Sequence, residues 1–283
     1  MSDSYELEQY KREVDTVISD ITLGMIKNMV SDAKSLSLEK GKGISNKLTL
    51  ISRAERDELN CGHIVAPITE FIKSRLASQL RLLARNQQIE LYTLFARVPQ
   101  TKIMSGLLFE AIGQVVLPEG LGITLLEMVR LNRKPTAKSR PRWYSSHTPL
   151  SNKSLEAKRR QAQSQTIQIP PTTIQEFTSD DILSLTERVF YVPVSDNEEA
   201  LDAFLLLDGV LYIFQFTVGK GHSIKPGFVK FFRKCKHVPP VEEWKFVFLI
   251  PPRLTLICPD PNFPSLRNLN PYSAQLDVQR FTQ

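Results

Sequence analysis

Cysteine is scarce in this chain. Three of its 283 residues, Cys61, Cys235 and Cys258, are widely spaced and odd in number. That argues against a disulfide framework and for a reducing compartment. Cys61 with His63, and Cys235 with His237, form two Cys-x-His pairs that leave a shared zinc open. Structural zinc sites usually separate their ligands by more, and we read these as ordinary thiols. Long apolar runs are also missing. None reaches the ~18 residues of a membrane-spanning helix; the nearest, 201–218, is interrupted by Asp202, Asp208 and Gln215. The opening MSDSYELEQYKREVD is polar and charged, unlike a secretory leader. A cytoplasmic or nuclear location is expected, with no membrane partner; export into a host stays open. The 12 glycines nowhere form GxxxxGK[ST], so ATP is not expected as a cofactor.

What is present is an ordinary globular composition, 42% hydrophobic and 23% charged, with an unevenly distributed net charge of +6. Arg130 to Arg160 contains ten basic residues and one acidic, Glu156, a local charge of +9 that leaves −3 for the rest. A mildly acidic body therefore carries one basic segment. It mixes Trp143 and Tyr144 with Arg140, Arg142, Lys158, Arg159 and Arg160, a composition suited to phosphate neutralisation and base stacking. A solvated disordered insertion and a nuclear-import signal are the alternatives. No apolar period runs through 132–164, and a structureless stretch of that length is either functional or disordered.

Apolar spacing predicts helices over about 4–35 and 64–96, a short apolar helix in KIMSGLLFEAIGQVVLPEG, and strand in LGITLLEMVRL. TSDDILSLTERVF carries an N-cap Thr178 or Ser179 and reads as a helix. FYVPV, LDAFLLL, VLYIFQFTV and WKFVFLIPP read as strands, and IKPGFVKFFRKCK as a helix. Strands alternating with helices predict an α/β domain with a mixed central sheet flanked by helices, preceded by an N-terminal helical region.

LDAFLLL-DG-VLYIFQFTV is the most informative piece. Asp208-Gly209 between two apolar runs signals a two-residue type I′ turn. That turn sets Leu207 opposite Val210 and, counting back, Asp202 opposite Gln215, with Thr217 on the same face. Both faces are otherwise apolar, so the pair should be central. An aspartate there is costly unless it is hydrogen-bonded or holds a metal. An Asp–Gln hydrogen-bonded pair and a divalent metal site are both open on these residues.

An acid on a helix, an aspartate on a following strand and an acid/amide-x-cation triplet on its partner strand resemble the order of the PD-(D/E)xK (restriction-endonuclease-like) nuclease fold. SGLLFEAIGQVVLPEG, FYVPV, ALDAFLL, LYIFQFTVGKGHSIKPG and WKFVFLIPP, in that order, look like the nuclease module of Crinkler-type effectors. The module also occurs in fungal transposon-associated proteins related to retrotransposon hot spot proteins. The resemblance covers about residue 60 to the end. It implies a helical region over 1–60, at most the terminal helices of an NTPase-like domain, and a nuclease-like domain over 61–283. The basic insertion falls at about 131–165 of that domain.

The resemblance further places the helix acid at Glu110, the strand acid at Asp202 and the triplet at Gln215-Phe216-Thr217. In that fold the strand acids hold Mg²⁺ (or Mn²⁺), and the lysine serves the attacking water. Here Gln215 brings a carbonyl without charge and Thr217 brings no cation. Lys220, His222 and Lys225 are the candidates to supply what Thr217 lacks. Each also has a plain reading, Lys220 as a solvated loop charge and His222 as a polar cap. The implied function is metal-dependent hydrolysis of nucleic acid, DNA ahead of RNA. The alternative is a catalytically degenerate relative that binds nucleic acid or a host protein; a third is an interaction effector working through the N-terminal helices.

Overall fold

A computed structural model of the chain describes residues 2–20, 22, 24–27, 48–53, 63–131, 142–147, 153–194, 201–259, 269 and 271–282. The chain divides into two compact units, 1–112 with 279–283, and 113–278. Residues 38–47, Cys61 and Arg140 lie outside the described residues.

In the first unit, α1 (Ser2–Ser19) is followed by a two-stranded antiparallel sheet, β1 (Thr49–Arg53) and β2 (His63–Pro67). Helices α2 (Glu70–Arg81) and α3 (Arg85–Ala96) come next. The single helix expected over 64–96 is thus a strand and two helices. The β-branched Ile64 and Val65 pair with β1 instead of coiling, and Pro67 closes the strand. Thr69 then starts α2, its hydroxyl accepting the Ile72 N–H at 3.2 Å. Helix α4 (Lys102–Val116) follows as expected, and the division between the units falls within it.

The second unit is built on a curled, mixed sheet of eight strands: β3 (Leu121–Glu127), β6 (Ser164–Ile169), β7 (Thr173–Phe177), β8 (Val189–Pro193), β9 (Ala203–Leu207), β10 (Val210–Phe216), β11 (Trp244–Ile250) and β13 (Pro271–Gln275). Their order is β6-β3-β13-β11-β10-β9-β8-β7. The β10–β11, β11–β13 and β7–β8 pairs are parallel and the others antiparallel. The β9–β10 hairpin is central and closes through positive φ at Asp208 (51°) and Gly209 (75°), as a type I′ turn requires. The Glu187 carboxylate accepts both turn N–H groups, at 2.9 and 2.8 Å.

One face of this sheet presents Phe204, Ile213, Phe246 and Phe248. It packs against Phe228, Phe231 and Phe232 of α6 (Gly227–Lys234). The Phe204 ring stacks on Tyr191 at 4.6 Å and meets Phe232 edge-on at 5.0 Å. The opposite face carries Phe216, whose ring lies against Gly113 of α4.

No helix forms over 178–188. The Thr178 N–H donates to Asp181 Oδ2 at 2.6 Å, a bond a helix start would also make, but beyond it the backbone is taken by bridges from Ser184 to Lys236 and from Glu187 to Leu206. The basic stretch is partly built structure. Strands β4 (Val129–Leu131), β5 (Arg142–Tyr144) and β12 (Ile257–Pro259) form a small sheet, and α5 (Lys153–Gln161) precedes β6. Strand β4 lies at the end of LGITLLEMVRL, read as strand, but periodicity did not reveal β5, β12 or α5, because each buries one apolar side chain, Trp143, Cys258 and Leu155. Among the described residues no helix is long and apolar enough to cross a membrane.

Candidate functional site at the mouth of the central hairpin

The hairpin register pairs Leu207 with Val210 and Ala203 with Phe214. One step beyond, Asp202 meets Gln215 as the turn dictates. Gln215 Nε2 donates to Asp202 Oδ2 at 2.6 Å, and the Phe216 backbone N–H donates to the same oxygen at 2.6 Å. Gln114, four residues after Glu110 on α4, donates from Nε2 to the Asp202 carbonyl at 2.8 Å. Gln215 and Thr217 are buried, at 8% and 7% exposure, and Asp202 is half-buried. These groups stand where β10 runs out beside its parallel neighbour β11, the sheet end at which open α/β folds bind ligands.

The other sequence-derived candidates fall into separate settings. Glu110 belongs to the first unit, where its carboxylate lies 3.9 Å from the Arg81 guanidinium with both side chains mostly buried. Thr217 Oγ accepts the Gly219 N–H at 3.1 Å, closing the turn that leaves β10. Lys220 is exposed, and its carbonyl accepts the Ile257 N–H at 2.7 Å. His222 donates its backbone N–H to the Ile257 carbonyl at 3.2 Å, so Lys220–His222 runs along β12. The His222 ring lies 5.8 Å from that of Phe248, the β11 partner of Gln215. Burial holds its pKa below the ordinary histidine value, opposed by the bond to the Ser223 backbone and assisted by the Lys225 charge. Lys225 is exposed.

Among the basic candidates, Arg159 is held bidentately by Glu156 at 2.6 and 2.7 Å, and Lys158 Nζ donates to the Arg130 carbonyl at 2.7 Å. Arg160 is 76% exposed, 3.6 Å from Glu156, and Arg142 is exposed on β5. Cys235 Sγ contacts the Phe231 carbonyl at 3.5 Å while the His237 ring pairs with Ser184 Oγ at 3.0 Å.

Three further groups stand out in the folded chain. Gln114 was legible in principle, as the i+4 neighbour of Glu110. Ser273 and His147 were not, since both come from short elements without a period. Ser273 is fully buried on β13 as the partner of Phe248, and the His147 ring bonds to its backbone. Burial lowers the His147 pKa.

Among the described residues no three His, Cys, Asp or Glu side chains group to hold a metal ion. Magnesium, however, is usually held by one or two carboxylates, with waters and substrate phosphates completing its shell. Asp202 offers one carboxylate, and the Gln215 amide turns its nitrogen to it. Turned end for end, that amide would offer its oxygen from the same position, because the two ends of an amide are nearly isosteric. The pair therefore fits a cation completed by a phosphate, and not an all-protein cage. No family model, no curated protein and no solved structure matches this chain.

Proposed function

We propose that this chain is a nuclease-like protein of the PD-(D/E)xK kind, related to the Crinkler-type effectors that its sequence resembles. It takes nucleic acid, DNA ahead of RNA, at the mouth of the β9–β10 hairpin and hydrolyses phosphodiester bonds with Mg²⁺ or Mn²⁺. The observation that carries the reading is the 2.6 Å pairing of Asp202 with Gln215 at the end of a central, otherwise apolar hairpin. A carboxylate in that position costs several kcal/mol in general unless it is paired or ligates a cation. The mixed sheet, with helical residues against each of its faces, supports the fold assignment in the same way.

Asp202 and Gln215 would hold the cation, which when bound supplies charge stabilisation at the scissile phosphate. The Phe216 N–H fixes the carboxylate, and Gln114 fixes the backbone that carries it. Arg142 and Arg160 are the exposed cations placed to meet backbone phosphates. Glu110 is the third group that the resemblance implies. A nuclear or cytoplasmic place of action, and a host protein as partner, belong to the same proposal.

A second reading has its own observation. Asp202 Oδ2 already accepts two N–H groups, so the carboxylate is satisfied without a cation, as in a degenerate site that binds nucleic acid without cutting it. Cleavage of plasmid and single-stranded DNA with Mg²⁺ or Mn²⁺, by wild type, Asp202→Ala and Glu110→Gln, separates the two. Metal-dependent cleavage lost in Asp202→Ala supports the nuclease. Cleavage untouched by Asp202→Ala, or DNA binding without any cleavage, overturns it.

A further inference from the structure

We propose that His222 is the general base of this site, filling the place that a lysine at position 217 would fill and that Lys220 does not. The inference rests on the nuclease reading above and names the group that takes the proton from the attacking water.

Placement and tautomer single out this histidine. Lys220 sits on an exposed turn and offers β12 its backbone carbonyl, and Lys225 is exposed too. His222 alone of the three is drawn inward. Its backbone is clamped to Ile257, and its ring packs on Phe248. Phe248 is the register partner of Gln215, and partners in adjacent strands share a face. Phe248 also packs with Ile213 and Phe246, and Ile213 lies two residues before Gln215 on the same strand. The imidazole therefore stands on the face that carries Gln215 and Thr217.

His222 Nδ1 lies 3.2 Å from the Ser223 carbonyl oxygen. A carbonyl only accepts, so Nδ1 carries the proton and Nε2 keeps its lone pair. That is the form a base must have before it acts. Burial keeps the ring neutral at pH 7. Among described groups the charge acting on it is Lys225, which also disfavours protonation; from β11 it meets the Phe248 ring and from β12 a backbone carbonyl, both uncharged.

In the step, water gives a proton to Nε2 as its oxygen bonds to phosphorus. The phosphorus bond to the leaving sugar oxygen breaks, that oxygen keeps the electron pair and takes a proton from solvent, and the imidazolium returns its proton to solvent. No oxidant or reductant is involved.

The experiment pairs a pH profile with a readout independent of turnover. Wild-type DNA cleavage with Mg²⁺ should rise with pH through an inflection below the ordinary histidine value. His222→Gln should lower kcat by about a hundredfold, the usual scale for a lost general base, and remove that inflection while DNA affinity stays within about twofold. In the metal-free protein, ¹⁵N and ¹³C NMR of the His222 ring should show the Nδ1–H tautomer and titration in the same pH range. Far-ultraviolet dichroism and thermal melting, with His222→Asn as a second variant, establish that the fold survives. An inflection retained in both variants, loss of the inflection in Lys220→Ala instead, or a ring protonated at pH 7 would overturn the proposal. A wild type that never cleaves removes the nuclease reading itself, and the base falls with it.

Discussion

Gly113 and Phe216 are in such close register that a methyl group has no room between them. A Cβ built on Gly113 would lie 2.0 Å from Cε1 of the Phe216 ring. The contact sets how closely the last turn of α4, from Gly113 on, lies on the sheet beside the residue whose N–H holds Asp202. Gly113→Ala should therefore destabilise the protein by about 1–3 kcal/mol, the scale of an overpacked core, despite alanine's better helix propensity. Urea unfolding measures this. Phe216→Leu in the same chain should recover part of the loss, and a more stable Gly113→Ala single variant would contradict the steric account.

Glu187 is exposed, yet its carboxylate takes both N–H groups of the Asp208-Gly209 turn. Glu187→Ala should cost about 1 kcal/mol, the net worth of ordinary hydrogen bonds discounted for solvent. Glu187→Asp, one methylene shorter, should recover less than half of that. Equal stability of all three chains would mean that the type I′ geometry stands on Asp-Gly alone.

Replacing Gln215 by glutamate would set a second carboxylate against Asp202, where an amide now sits at 2.6 Å. Without a cation the variant should melt lower than wild type, through like-charge repulsion. Millimolar Mg²⁺ or Mn²⁺ should then raise its melting temperature more than the wild type's, since a ligand bound only by the native state stabilises it by mass action. An equal response of the two chains to cation would speak against a metal at this pair.

His147 is kept below its ordinary pKa by burial, with the Ser273 backbone bond working the other way. As pH falls, the unfolded chain takes up this proton before the folded one. Stability conferred by the neutral ring is therefore complete above the ordinary value of about 6.5 and declines below it, until the folded ring itself titrates. Burial of His222 adds a dependence of the same sign. Urea midpoints between about pH 7.5 and 5 should fall for wild type and fall less steeply for His147→Gln. Identical slopes would show that His147 does not carry the effect.

Of the basic cluster, Arg160 should matter more to DNA binding than Lys158 or Arg159, whose side chains are engaged by Arg130 and Glu156. Arg160→Ala with Arg142→Ala should weaken non-specific binding and reduce the salt slope by about one for each phosphate left without its cation. Lys158→Ala should change it less. The reverse ranking in a fluorescence titration between about 50 and 200 mM salt would exclude this face.

The β9–β10 hairpin was legible in the sequence because one dipeptide sets turn type, register and face together; the Asp202–Gln215 pairing followed from counting. Helices α4 and α6 were legible from apolar spacing. The 64–67 strand was not, because Ile64, Ile68 and Ile72 also satisfy a helical period and only pairing with β1 decides between them. Strands β6, β7 and β13 are short, or polar on one face, and owe their existence to neighbours distant in sequence. The 178–188 stretch is not a helix because its backbone pairs with Lys236 and Leu206, partners distant in sequence that its own residues do not announce. In the site, identities and register were readable, but the direction of the Gln215 amide and the tautomer of His222 are properties of the assembled fold.

The small sheet bears on how this protein can be dissected. Strand β5, from the basic stretch, pairs with β12, and β12 in turn holds the backbone of Lys220–His222. A segment that looks removable by composition is thus an inner rib of a short ladder, held between β4 and β12, with Lys220–His222 on the far side of β12. Shortening the chain through 142–144 would therefore unmoor that loop, whereas a cut confined to 133–140 spares every rung among the described residues. The shorter, less basic deletion would then do more damage than the longer, more basic one, because hydrogen bonds rather than charge set the boundary.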